Sequence, residues 1–127
     1  MAFAITAAVL TALGAGIELW ACRELGWRRA LGLTTAPPDP ALPRLVLRGP
    51  FGFVRHPQSL GLLLILAGAV LGLGGALMGA VALLGGGLVI ALAVRQDRAL
   101  GRRWGEAYGR YRRAVPLLLP RPPRSTR

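Results

Sequence analysis

One histidine, His56, and one cysteine, Cys22, stand among 127 residues, and the five carboxylates are Glu18, Glu24, Asp39, Asp97 and Glu106. A single cysteine excludes an intramolecular disulfide, and with one histidine a multi-residue metal site lacks ligands, so no metal is expected. A Ser-His-Asp triad could run only through His56. The surroundings of that histidine suggest other chemistry: Arg48-Gly49-Pro50-Phe51-Gly52-Phe53-Val54-Arg55-His56-Pro57-Gln58. Arg55 puts a fixed cation beside a titratable ring, and Pro57 suits the first turn of a following helix. At the water-facing mouth of a membrane hairpin, such a pair can meet a charged cofactor from water and an apolar substrate from lipid. The competing interpretation is an interfacial anchor that contacts lipid headgroups.

The elements that must position these residues follow from hydropathy. From Pro57 to Val94 no Asp, Glu, Lys or Arg interrupts the chain, a run no soluble domain of this size can hide. Residues 1–22 read as a first span, since 22 helical residues extend about 33 Å against a hydrocarbon core of roughly 30 Å. A cleaved signal peptide needs a positive n-region, and nothing before Glu18 is charged. Glu18 itself reads as a boundary residue that reaches the interface or pairs with an arginine. Residues 59–94 would run about 54 Å as one helix, so they must fold back. The break falls at Gly72-Leu73-Gly74-Gly75, and the first arm is short enough to begin near Pro57. Gly68, Gly72, Gly75 and Gly79, at spacings of four and three, allow close helix packing. Neither Gly72–Gly75 nor Gly14-Ala15-Gly16 follows a strand, so neither is a nucleotide-binding loop.

The net charge of +11 is carried entirely by arginine on the basic side, a usage that fits a GC-rich, bacterial genome. Six arginines lie between the first span and the hairpin (Arg23, Arg28, Arg29, Arg44, Arg48, Arg55), ten follow the hairpin, and its tip has none. The positive-inside rule makes that side cytoplasmic and the N-terminus external. Nucleic-acid binding, which charge alone would suggest, does not explain this segregation. The linker with Pro37, Pro38, Pro40 and Pro43 cannot be helical. After the hairpin, residues 95–115 predict a single amphipathic helix with Leu100, Trp104, Tyr108, Tyr111 and Val115 on one face. Prolines then end it, and 116–127 are expected to form a disordered tail. The fold class is thus an all-α integral membrane protein, one membrane domain of three transmembrane helices with a C-terminal amphipathic cytoplasmic helix.

The string GPFGFVRHPQSLG at 49–61, an apolar hairpin, and RQDRALGRRWGEAYGRYRRAVPLLLP at 95–120 resemble the isoprenylcysteine carboxyl methyltransferase-like family, to which the phospholipid N-methyltransferases are related. The resemblance covers about 42 to 120. It implies an integral membrane enzyme that transfers a methyl group from S-adenosylmethionine to a lipid-soluble acceptor. Carried over, Leu45 and Val46 match the apolar residues before the turn, and Phe51 the aromatic after it. His56, Pro57 and Gln58 match the core of the motif that holds the cofactor. Ser59 stands where the family usually has Tyr, and Gln96-Asp97 where it usually has Glu-Glu, whose first member is expected to meet the cofactor. Gln96 keeps hydrogen-bonding capacity without the charge.

Methyl transfer is an in-line displacement at a sulfonium carbon, so catalysis is mostly positioning and exclusion of water. A carboxylate or thiolate acceptor needs no strong base, and the scarcity of bases favours one. A protonated amine, as in a phospholipid N-methyltransferase, would need His56 to take its proton. Arg55 and Arg95 are candidates to neutralise an acceptor carboxylate, on charge and position alone. Three spans are fewer than the family commonly has. A dispensable span, a second copy completing the bundle as a homo-oligomer, or a non-catalytic partner subunit are the alternatives this leaves open.

Overall fold

The computed structural model describes residues 1–27 and 49–120. Leu45, Val46 and the proline-rich linker lie outside the described residues, as do residues 121–127. Four α-helices make up most of the rest: α1 (Ala2–Leu25), α2 (Pro57–Leu73), α3 (Gly75–Trp104) and α4 (Glu106–Ala114), with a short 3-10 turn at Gly49–Gly52 before α2. Pro57 occupies the first helical turn of α2, where its missing N–H costs nothing. The turn between α2 and α3 falls inside the expected glycine cluster. Gly74 and Gly75 have φ of 65° and 84°, a left-handed pair that residues with a Cβ adopt only at a cost.

α1 and α2 pack antiparallel along a seam of small residues. A Cβ on Gly61 would lie 2.9 Å from the carbonyl oxygen of Gly14, and one on Gly68 would lie 2.8 Å from that of Ala7. Residues 7, 11 and 14 of α1 and 61, 65 and 68 of α2 recur at three- and four-residue steps, so each set forms one helical stripe. Of the glycines expected to pack, Gly68 and Gly72 sit on this seam, whereas Gly75 and Gly79 meet nothing within 4 Å. α3 returns alongside α2, with Gly85 and Gly86 against Leu66 and Leu63.

α1 and α3 are long and apolar enough to cross a membrane, and α2 is a shorter apolar helix. At 17 residues, α2 is about 26 Å long, a little under the hydrocarbon thickness. Phe3, Val9, Leu13, Leu77, Leu83, Leu84 and Leu88 are all at least half exposed. That much outward apolar surface suits lipid and not water.

Three expectations are corrected. Glu18 does not reach toward an arginine among the described residues. Its Oε1 is buried without a hydrogen-bond partner beside Gly61, because the helical register that brings Gly14 to the seam brings Glu18 there too. Residues 95–115 are not one helix. α3 continues unbroken through Arg95 to Trp104, where nothing interrupts its hydrogen bonding, and the chain bends at Gly105 with φ of 56°. Leu100 and Trp104 are therefore on a different helix from Tyr108 and Tyr111. Lastly, residues 116–120 are not a loose tail. The backbone N–H groups of Arg55 and His56 donate to the carbonyls of Pro116 and Leu117 at 2.9 and 3.2 Å, so the strand-like backbone before α2 finds partners there.

Candidate functional site

The C-terminal end of α1, the start of α2, the far part of α3 and α4 all gather at one end of the bundle, opposite the Gly74–Gly75 turn. Asp97 is the centre of that end, with only 2% of its surface exposed. Its Oδ1 accepts from Arg55 Nη1 at 2.7 Å and from Tyr108 Oη at 2.6 Å, and its Oδ2 lies 3.2 Å from Arg112 Nη2. A buried carboxylate is tolerable only when paired and hydrogen-bonded in this way. Arg55 comes from the loop before α2, Asp97 from α3, and Tyr108 and Arg112 from α4. The cluster fastens the segment before α2 and helix α4 to the open end of the α2–α3 hairpin.

His56 is also buried. Its Nε2 lies 3.7 Å from Asp97 Oδ1, too far for a hydrogen bond, and has no other partner among the described residues. Burial pushes its pKa below the usual imidazole value, Asp97 pulls it back and Arg55 adds to the lowering. The ring is thus neutral at pH 7. Burial also raises the Tyr108 phenol well above its ordinary range, with the Asp97 carboxylate adding to it, and raises that of Tyr111 to about 12. Both remain protonated donors, Tyr111 to the carbonyl oxygen of Phe51 at 2.7 Å. The two rings meet edge to face with centroids 5.6 Å apart.

Around this centre, Pro57 is fully buried and Phe51, Gln58 and Ser59 are half-buried. The Gln58 amide makes one weak donation, 3.9 Å to the sulfur of Cys22. Arg95 and Gln96 are exposed on α3 and are not drawn into the Asp97 cluster. Of the expected acidic position, then, it is the second member and not the first that the fold buries. Sequence reasoning missed Tyr108 and Arg112 as partners of Asp97, and Glu24, whose side chain lies against the Gly49 turn. The spacing of Tyr108 and Tyr111 on one helical face signals a packed stripe, but nothing in it singles out Asp97 as the group the Tyr108 hydroxyl meets.

A family model described as phospholipid methyltransferase matches residues 2–103, spanning α1 to the end of α3. The chain belongs to the phospholipid methyltransferase family. No curated protein and no solved structure matches it. With its two span-length apolar helices, membership of this family makes it a membrane protein of methyltransferase type.

Proposed function

We propose that the protein transfers a methyl group from S-adenosylmethionine to a lipophilic acceptor, at the bundle end where Arg55, His56 and Asp97 meet. The observation that carries this reading is a pair of buried nitrogens in that cluster, Arg55 Nε and His56 Nε2, with no hydrogen-bond partner among the described residues. Each costs about 1–3 kcal/mol while unsatisfied, a cost that a polar ligand removes. The residues fit the cofactor's polar groups. Arg55 Nε can donate to its carboxylate and the Gln58 amide to its hydroxyls, while Glu24 at the Gly49 turn can pair with its ammonium. The cofactor supplies a methyl group on a positively charged sulfur, which leaves as a neutral thioether when the acceptor attacks.

The protein's own part is to orient and to move a proton. Asp97 fixes the Arg55 guanidinium, and the rigid Pro57 start of α2 fixes His56. A neutral imidazole accepts a proton at pH 7, and the imidazolium formed is stabilised by Asp97 at 3.7 Å. That availability changes the preference among acceptors. An ammonium has somewhere to lose its proton, so a phospholipid amine comes first and a carboxylate or thiolate second. The positive-inside distribution of arginines supports placing this end on the cytoplasmic side, with α1, α2 and α3 as three spans.

An expressing strain fed methyl-labelled methionine should accumulate label in N-methylated phospholipid. Label in a methyl ester or thioether would move the assignment to the second acceptor class. No labelled lipid above the empty-vector strain would favour a non-catalytic partner subunit.

A further inference from the structure

Beyond the Asp97 cluster, the bend at Gly105 opens a cleft of about 390 Å³ between α3 and α4. Each helix gives it one stripe. Arg98, Gly101 and Arg102 follow one another at helical spacing on α3, Gly105 lies at the bend, and Tyr108, Gly109 and Arg112 follow on α4. The glycines leave the floor low, so that a Cβ on Gly105 would meet nothing within 4 Å. Three arginines, Arg98, Arg102 and Arg112, are among the residues that line it. No carboxylate among the described residues lines it; Asp97 behind Tyr108 is already paired with Arg55 and Arg112, and the exposed Glu106 is not one of the residues around the cleft.

Height along the bundle narrows the ligand. The apolar part of α3 from Gly75 to Val94 spans about 30 Å, the thickness of a hydrocarbon core. Arg98 and Arg102 follow within the next two turns, at the level of lipid headgroups. The anion present there at high local concentration is lipid phosphate, and guanidinium groups bind phosphate oxygens in bidentate fashion. We infer that the α3–α4 cleft is a binding site for the phosphate of an anionic phospholipid headgroup, held by Arg98, Arg102 and Arg112. This assignment does not rest on methyl transfer, and an inactive chain would bind as well. Because Arg112 also contacts Asp97, the bound lipid would hold α4 against the hairpin.

Native mass spectrometry of the whole protein in detergent, titrated with phosphatidylglycerol, tests it against two double variants of equal charge loss. Arg98→Gln/Arg102→Gln should bind the lipid at least about tenfold more weakly, because the phosphate loses two of its three guanidinium partners in the cleft. Arg103→Gln/Arg110→Gln, whose side chains are exposed outside the cleft, should bind it as the wild type does. Phosphatidylcholine, whose phosphate is neutralised by its own choline cation, should bind the wild type more weakly than phosphatidylglycerol does and should lose less in the Arg98→Gln/Arg102→Gln variant. Equal weakening in both double variants would overturn the site in favour of diffuse charge attraction. Inorganic phosphate that binds in the cleft and is not displaced by phosphatidylglycerol would overturn the lipid assignment in favour of a soluble anion.

Discussion

Asp97 carries a graded set of expectations. Its ion pair with Arg55 is buried on both sides, with side-chain exposures of 3% and 9%. Asp97→Asn leaves the guanidinium without its countercharge and should cost about 3–5 kcal/mol of stability. Tyr108→Phe removes one hydrogen bond to a carboxylate, worth about 1.5–3 kcal/mol. Arg112→Gln touches a side chain that is half exposed, so its effect should fall below about 1 kcal/mol. Thermal unfolding in detergent should rank the three in that order, and a variant of Arg112 as damaging as Asp97→Asn would contradict the geometry. His56 adds a pH dependence. Its folded pKa lies below the unfolded one, so the unfolded chain binds more protons in acid. Stability is therefore full above the ordinary imidazole value of about 6.5 and falls as pH drops through the lower folded value. Methyl transfer that uses neutral His56 should likewise keep its rate to below pH about 6.5. An acid limb centred above that value would exclude His56 as the proton acceptor.

At the scale of elements, the α1–α2 seam depends on missing side chains. Gly61→Ala puts a Cβ against a backbone carbonyl, which has no flexible end to give way, and should cost about 1–3 kcal/mol. Gly79→Ala, in open space on α3, should be neutral or stabilise by up to about 1 kcal/mol through helix propensity. Unfolding measurements that show equal effects would deny the close approach. Periodicity and breakers made these elements legible in the sequence. The charge-free run set the hairpin, Gly72–Gly75 marked its turn, and Pro57 marked the start of α2. The helix from 95 onward was misjudged, since a change from apolar to charged composition looks like an element boundary but leaves the backbone free to continue. Gly105 was the real breaker, and one glycine among many gives little sign of a positive φ.

Across the whole molecule, the site is assembled from segments far apart in the chain. Arg55 and Asp97 are separated by 42 residues, almost the whole hairpin, and only the antiparallel return of α3 brings them together. The motif around His56 was readable because its residues are contiguous. The pairing of Asp97 with Tyr108, and of the Arg55–His56 backbone with Pro116 and Leu117, was not, because it depends on how far α3 projects before it bends. The same arrangement puts the described site residues at one end of the bundle and the Gly74–Gly75 turn at the other. The proposed orientation, with the arginines on the cytoplasmic side, predicts that a reporter fused after residue 127 reads as cytoplasmic and one inserted at the turn as external. The reverse would place the site on the side without the cofactor.

The most direct measurement is methyl transfer by the purified protein in nanodiscs that contain phosphatidylethanolamine, with methyl-labelled S-adenosylmethionine and His56→Ala beside the wild type. Wild-type protein should label the amine of the lipid, and His56→Ala, with its unfolding transition retained, should lose that label and bind the cofactor more weakly. Equal labelling by the two proteins, or no cofactor binding by the folded wild type, would contradict the assignment of the Arg55–His56–Asp97 cluster as the site of methyl transfer.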